Sequence, residues 1–251
     1  MDLGIAGKRA VVSGASQGIG RAISLALAKE GVSVAVISRR SYELEKLVDE
    51  MGGKSAGHVA ISKDLQEPGS STEAAQLVLA DGPIDIAVHN VGGTLGVRSS
   101  LASLDDWLSV FKFNVGIAIE MNRLLVPPMQ KTGWGRVVHI SSISGKNLRG
   151  SAPYGVTKAA LDAYVKVLGR EVAPDGVIVS GIQPGAVWAP GGHWDNIAKT
   201  NPAMKEDFLR HHHAIGRLGT AEEIAPIAAF MCSQQVSFCA GSWVEVDGGT
   251  M

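Results

Sequence analysis

Seven short runs rich in apolar and β-branched residues alternate with longer stretches of helical periodicity, and this alternation constrains the chain more than any other feature. The runs fall at residues 9–13, 33–38, 55–61, 84–90, 136–141, 177–183 and 242–246. Several are apolar throughout, as strands covered on both faces of a parallel sheet must be. Helical patterns fill most of the intervals, at 18–30, 42–51, 72–80, 104–127, 152–173 and 221–233. Helix-start signals agree: Ser103 stands three residues before Asp106, a capping-box-like pair, and Pro153 lies in the first turn of its helix.

Strand–helix alternation with right-handed crossovers predicts an α/β, doubly wound Rossmann fold, with a parallel seven-stranded sheet flanked by helices on both faces. No repeat, low-complexity linker or composition break divides residues 1–251, so a single catalytic domain is expected. One stretch, residues 185–219, is long, irregular and punctuated by Pro190, Gly191, Gly192 and Pro202. Such an excursion late in a compact α/β domain predicts a lid or substrate-binding segment, at about 186–218, with one or two short helices.

Composition removes several classes of function. Hydrophobic residues at 45% and charged residues at 19% describe a globular protein with ample core. A formal net charge of -1 gives no reason to expect nucleic acid or an anionic membrane as partner. Two cysteines, Cys232 and Cys239, argue against a disulfide-built secreted domain and read as buried thiols. Residues 1–8 lack a signal-peptide pattern, and no apolar run approaches the ~20 residues of a membrane span, so the expected location is cytoplasmic.

The first chemical signal is Ser13-Gly14-Ala15-Ser16-Gln17-Gly18-Ile19-Gly20, which follows the first strand and opens the first helix. Gly14 permits a tight turn, Gly18 lets backbone approach a pyrophosphate, and Gly20 allows close helix–sheet packing. Ser16, Gln17 and Ile19 share the turn, and the helix N-terminus offers unpaired N–H groups. The bland alternative is a β–α turn with no ligand. The second strand ends in Ser38-Arg39-Arg40 with no acidic residue to accept the hydroxyls of an adenosine ribose. A hydroxyl and two guanidinium groups suit a 2′-phosphate, which predicts NADPH over NADH, unless the arginines are merely solvated charges.

The second signal is Tyr154 followed four residues later by Lys158. Positions i and i+4 share a helix face, so an ammonium is expected near the phenol, where it lowers the phenol pKa from ~10.

Taken in order, these motifs resemble the short-chain dehydrogenase/reductase family, in its short single-domain branch, and the resemblance covers essentially the whole chain. The glycine turn is similar to Thr-Gly-x-x-x-Gly-x-Gly, with Ser13 in place of the threonine. Lys63-Asp64-Leu65 matches the segment whose acid meets the adenine amino group. His89-Asn90-Val91-Gly92 resembles Asn-Asn-Ala-Gly with two substitutions. Asn114 stands where the family has its helix-embedded asparagine, and Ser142, after Ser141, takes the place of the catalytic serine. Tyr154 and Lys158 match Tyr-x-x-x-Lys, Pro184-Gly185 follows the sixth strand, and Asp247-Gly248-Gly249 comes after the seventh. Two departures stand out. No threonine follows Pro184-Gly185-Ala186-Val187-Trp188-Ala189, which leaves the backbone near Val187 to hold the nicotinamide amide. The Ser142–Tyr154 spacing is also slightly tight.

The resemblance implies an NADP(H)-dependent oxidoreductase that interconverts a carbonyl and a secondary alcohol. Tyr154 would be the general acid or base. Lys158 would lower its pKa and bond the nicotinamide ribose. Ser142 would hold the carbonyl oxygen, and Asn114 would hold a water that relays the proton. It also implies a homotetramer or homodimer built on the helices of Asn114 and Tyr154. Leu161, Tyr164 and Leu168 would supply an apolar stripe there, or equally an internal core. The rival from another class is a catalytically idle dinucleotide-binding sensor or assembly protein. A longer nucleotide-sugar epimerase is disfavoured by length.

No metal is expected. His211-His212-His213 are adjacent, and consecutive helical residues point about 100° apart. His139 reads as structural. Trp188, His193, Trp194, Met204 and Phe208 are expected to line the substrate site, with Thr94, Leu95, Ser144 and Arg149 from neighbouring loops. A 3-oxoacyl substrate, a sugar or another ketone all remain open. The weakly basic Lys131-Thr132-Gly133-Trp134 and acidic Pro174-Asp175-Gly176 lower the carrier-linked case.

Overall fold

The computed structural model describes residues 1–250. Along the chain run β1 (Arg9–Ser13), α1 (Gly18–Lys29), β2 (Ser33–Ser38), α2 (Ser41–Glu50), β3 (Val59–Ser62), α3 (Ser70–Leu79), β4 (Ile86–His89), α4 (Leu104–Phe111), α5 (Ile117–Thr132), β5 (Gly135–Ile140), α6 (Ser144–Asn147), α7 (Ala152–Val172), β6 (Val177–Pro184), α8 (His193–Thr200), α9 (Pro202–His212), α10 (Ala221–Met231) and β7 (Ser242–Val246). The strands form one parallel seven-stranded sheet in the order β3-β2-β1-β4-β5-β6-β7. This is the expected Rossmann architecture.

Alternation along the strands sorts the core into two layers. Val12, Val34, Val36, Val88, Ile140 and Ile182 face α1, α2 and α10, where Ile23, Leu27, Leu44, Leu47 and Ala225 pack. Val11, Ile37, Ala87, Val137 and Val179 face α3, α5 and α7, with Ala74, Met121, Leu125 and Val165. Strand order reverses between β1 and β4, so their C-terminal ends part into the crevice where open α/β sheets bind ligands.

Several boundaries differ from the sequence expectation. The third strand does not begin at residue 55. Lys54–Ala56 form a 3₁₀ turn closed by Gly57 at φ 84°, so the strand starts two residues later. The fourth is shorter than 84–90, although Asp85 just before it still bonds both neighbours through its backbone, and its carboxylate accepts from Lys8 Nζ at 3.0 Å and from the Arg9 N–H at 2.9 Å. The pattern at 104–127 continues to Thr132, through Pro127 and Pro128, and is broken by a π turn at Lys112–Gly116. Helix α6 was not expected. Val244 and Val246 are only half-buried because β7 is an edge strand. Cys232 is buried, with burial pushing its thiol up to about 12, but Cys239 is only half-buried.

Residues 185–219 do contain two short helices, α8 and α9. Their roots are pinned together. Gly219 N–H donates to Ala186 O, and Trp188 N–H donates to Gly219 O, both at 2.9 Å. The far side is tied to the end of the chain, where Ala214 and Ile215 N–H donate to Gly249 and Gly248 O.

Beneath this excursion, Gly181 on β6 has no space for a side chain, because an added Cβ would collide with the Trp243 ring. Gly181→Ala is expected to destabilise the fold by about 1–3 kcal/mol through overpacking. Thermal unfolding is the check, and an unchanged midpoint would show that the ring yields freely.

Candidate active site

The glycine turn is built around the crevice. Gly14 adopts φ 68°, and a Cβ there would sit 2.9 Å from Asn90 Nδ2. A Cβ on Gly20 would lie 2.5 Å from both Asn90 Nδ2 and Gly14 O. Asn90 is the tie between β4 and the turn: its Nδ2 donates to Gly14 O at 3.1 Å, and its N–H donates to Ser13 Oγ at 3.1 Å. Ser13 thus has a physical task in place of the family's threonine. Helix α1 starts at Gly18 with no side-chain cap and no acid in its first turn. The uncapped N–H groups of a twelve-residue helix attract an anion. Gly18 itself, at φ 55°, meets only Ala189 Cβ at 3.2 Å from the excursion opposite. The turn is therefore packed against the sheet on one side and leaves backbone accessible on the other, which fits a pyrophosphate.

Beyond it, Arg40 folds back on the turn. Its Nε and Nη2 donate to Ser16 Oγ at 3.2 and 3.0 Å, while its N–H donates to Ser38 Oγ at 3.2 Å. Arg39 reaches Asp64 Oδ2 at 3.5 Å, and Asp64 Oδ1 accepts from Gln66 N–H at 3.0 Å. Leu65 is buried beside them. Ser16, Ser38 and Arg40 therefore converge, while Arg39 turns to Asp64.

Tyr154 and Lys158 stand on the first turns of α7, whose N-terminus is capped by Ser151 Oγ accepting from Tyr154 N–H at 3.3 Å. The Ser142 hydroxyl acts on the Tyr154 phenol, favouring its ionised form, and its Oγ accepts from Ser144 N–H at 3.1 Å. The expected effect of Lys158 on Tyr154 is corrected. Burial raises the phenol pKa, and only Ser142 opposes it. Lys158 Nζ donates instead to Ile140 O at 2.9 Å and lies 5.6 Å from the phenol ring centre. Lys158 itself is only 2% exposed, and burial pushes its pKa down to about 8 against the opposing field of Asp162.

Asn114 sits in the π turn, and its side chain is committed to backbone. Nδ2 donates to Gly93 O at 2.8 Å and to Val110 O at 2.9 Å, while Oδ1 accepts from Gly93 N–H at 3.0 Å. It thereby pins the turn after Val91 against the helix. Gly92 is squeezed between, since a Cβ there would lie 2.6 Å from Asn114 Oδ1 and 3.1 Å from Lys158 Nζ. Asn90, Val91 and Gly92 are thus brought to Lys158. Across the crevice, β6 ends at Pro184, and Gly185 N–H donates to Val246 O at 3.1 Å. The parallel bridge of Val187 to Gly219 uses its neighbours' groups, so Val187 keeps its own N–H and C=O for a ligand.

Trp194 stacks on Phe208 with ring centres 4.4 Å apart, so these aromatics join α8 to α9 rather than stand free. Asp195 holds the loop before them, accepting from Gly191 N–H at 2.8 Å and Lys199 Nζ at 2.7 Å. The three histidines diverge: His211 meets Asp207, His212 meets Arg149 Nη1 at 3.0 Å, and His213 is buried. Among the described residues no three His, Cys, Asp or Glu side chains are grouped to hold a metal. Leu161 is core, and Tyr164 and Leu168 turn inward as well. Missed by sequence reasoning were Asp162, which accepts from Ser141 Oγ and Gln183 Nε2 at 2.6 Å each, and Asn122. An acid four residues after a lysine on one helix face was the available signal for the first.

Comparisons with known proteins agree with this geometry. A family model described as enoyl-(acyl carrier protein) reductase matches residues 14–251. The chain is 34% identical to an uncharacterized oxidoreductase of Mycobacterium tuberculosis, over 96% of this chain and 91% of that protein. It is 32% identical to a 3-oxoacyl-(acyl-carrier-protein) reductase of Aquifex aeolicus, over 99% of each. Among solved structures, L-sorbose reductase from Gluconobacter frateurii, complexed with NADPH and L-sorbose, superposes with a TM-score of 0.91. That structure is 31% identical and covers 100% of this chain and 98% of its own.

The buried ammonium makes a measurable demand. Below about pH 8 the folded chain bears the full burial penalty of Lys158. The penalty fades as pH rises from about 8 toward the ordinary lysine value of ~10.4, because there the unfolded chain binds more protons. Lys158→Met should therefore melt at a higher temperature than the parent at neutral pH, with the gap narrowing above pH 8. Equal midpoints at neutral pH would refute the penalty.

Proposed function

We propose, from the premise that the chain belongs to the short-chain dehydrogenase/reductase family of oxidoreductases, that it interconverts a carbonyl and a secondary alcohol with NADP(H). The observation that carries this reading is the buried Tyr154 phenol, whose acidity Ser142 raises, with the Lys158 ammonium buried behind it and held on Ile140 O. Solved relatives that bind NADPH or NADP support the cofactor.

Gly14, Ser16, Gln17, Gly18, Ile19 and Gly20 would hold the pyrophosphate on the uncapped start of α1. Ser38, Arg39 and Arg40, with Ser16, would take the 2′-phosphate. Asp64 and Leu65 would border the adenine, Asn90, Val91 and Gly92 the adjoining ribose. Tyr154, Lys158, Pro184, Gly185 and Val187 would border the nicotinamide. When bound, NADPH supplies a hydride to the carbonyl carbon.

Tyr154 donates its proton to the carbonyl oxygen in reduction and recovers it in oxidation. Its raised pKa keeps it protonated at neutral pH, which suits reduction. Ser142 holds the oxygen and stabilises charge that develops there. Lys158 presents a cation to the ribose hydroxyls, and Asn114 acts by fixing the Gly92–Gly93 turn against that cation. An idle binding protein has no physical need of a buried ammonium beside a buried phenol, and none of the similar proteins supports that alternative.

Residues 1–250 work in this reading as one catalytic domain, with 186–218 as its substrate lid. A ketone on an acyl chain or a sugar is consistent with the relatives' names. Exposed Leu104, Leu108 and Phe111 on α4, with Val156 and Val167 on α7, suit burial in a homodimer or homotetramer. No helix among the described residues is long and apolar enough to cross a membrane, which is compatible with a cytoplasmic enzyme.

Two substitutions test the reading. Tyr154→Phe should lower kcat by about 10²–10⁴-fold with NADPH affinity retained, and near-normal turnover would overturn the mechanism. Arg40→Ala removes charge-assisted bonds worth about 1.5–3 kcal/mol, so KM for NADPH should rise on the order of tenfold or more while KM for NADH stays put. Equal effects on both cofactors would disprove the phosphate assignment.

A further inference from the structure

Directly behind the site, the pairing of β4 with β5 ends on two histidines held side by side in register, His89 and His139. Both are buried, with ring centres 4.8 Å apart and nearly parallel planes. Strand alternation turns them toward α5 and α7, where Asn122 and Tyr164 receive them. His89 Nε2 lies 2.7 Å from Asn122 Oδ1, and His139 Nε2 lies 3.5 Å from Asn122 Nδ2. Asn122 Nδ2 also donates to Tyr164 Oη at 3.2 Å, and the Tyr164 ring packs edge-on to His139 at 5.8 Å.

One amide cannot treat two rings alike. Its oxygen needs a donor and its nitrogen needs an acceptor. With Asn122 as placed, His89 carries its proton on Nε2 and exposes a bare Nδ1, while His139 accepts at Nε2 and carries its proton on Nδ1. Turning the amide over exchanges the two rings and preserves the opposition. Burial pushes His89 down to about 4 and His139 well below its ordinary value, so both are neutral at ordinary pH. The pair therefore offers one Nδ1–H donor and one Nδ1 acceptor, and neither atom has a partner among the described protein groups. A cavity of about 10 Å³, room for a single water, is walled by His89, His139, Ser13 and Asn114 together with apolar side chains.

We propose that this cavity binds one water, which donates to one histidine Nδ1 and accepts from the other, and that the bridged pair is a positioning device for the strand ends that carry Asn90 and Ser142. Asn90 follows His89 directly, and Ser142 lies three residues beyond His139. The water joins β4 to β5 at the level where the sheet ladder stops, with Asn114 on the opposite wall. The positioning half rests on the reading of Ser142 as the residue that holds the carbonyl, whereas the water and the tautomers do not.

Two arms separate these halves. In ¹⁵N spectra of the histidine-labelled protein, with His89→Asn and His139→Asn used for assignment, the two rings should show opposite neutral tautomers. They should hold them from about pH 8 to about pH 5. A high-resolution crystal structure should place one water within hydrogen-bond distance of both Nδ1 atoms. Matching tautomers, or no water between the rings, overturns the site. In the second arm, His139→Leu should lower kcat by about tenfold to a hundredfold with KM for NADPH nearly unchanged, and His139→Asn, which keeps an amide donor, should recover most of the loss. Unchanged kcat in His139→Leu overturns the positioning role. If that variant does not fold, His89→Gln carries the same comparison. Failure of Tyr154→Phe to lose turnover would remove the proposed chemistry and leave the water site standing.

Discussion

Much of this molecule is arranged to keep one ammonium charged in a place where water would normally be required. Lys158 is taken out of solvent, and its surroundings replace the lost hydration only in part, with Ile140 O as a fixed acceptor and the field of Asp162 a few ångströms off. The deficit explains its neighbours. Gly92 must lack a side chain because the ammonium and Asn114 occupy the space, and Asn114 spends its amide on Gly93 so that the turn cannot drift into that space. Asp162 is itself held by Ser141 and Gln183, which couples β5 and β6 to the same charge. A cation in such a position stabilises a developing negative charge more strongly than one in water, and that makes its burden useful.

The phenol follows from the same economy of solvent. A lysine one turn away does not by itself make Tyr154 a stronger acid, because the ammonium is directed to a carbonyl and burial acts on the phenol more strongly. What opposes burial is Ser142. A substitution at Ser142 therefore changes the phenol's acidity as well as whatever else that hydroxyl touches.

The sheet, its helices and the order of its motifs were legible in the sequence because they are written in local terms. β-branched runs, a glycine turn between strand and helix, and a lysine four residues after a tyrosine each declare themselves within a short window. The third strand's start was misplaced because a 3₁₀ turn at Lys54–Ala56, closed by Gly57, occupies the beginning of an otherwise strand-like run. The aromatic residues of the lid read as pocket lining by type, yet Trp194 and Phe208 found each other across a helix turn that no window contains. The pairing of His89 with His139 was equally hidden, since it exists only through strand register. Asn114 was located correctly, but the destination of its hydrogen bonds was not readable from position.

The excursion that carries α8 and α9 leaves and rejoins the fold at adjacent points, because Val187 and Gly219 are bridged before α8 begins and after α9 ends. Its intervening length thus closes on itself, and lengthening or replacing it changes loop entropy only logarithmically while leaving strand register untouched. The segment is therefore held at its root independently of what α8 and α9 carry, and its second tie, from Ala214 and Ile215 to Gly249 and Gly248, runs to the end of the chain rather than to the sheet.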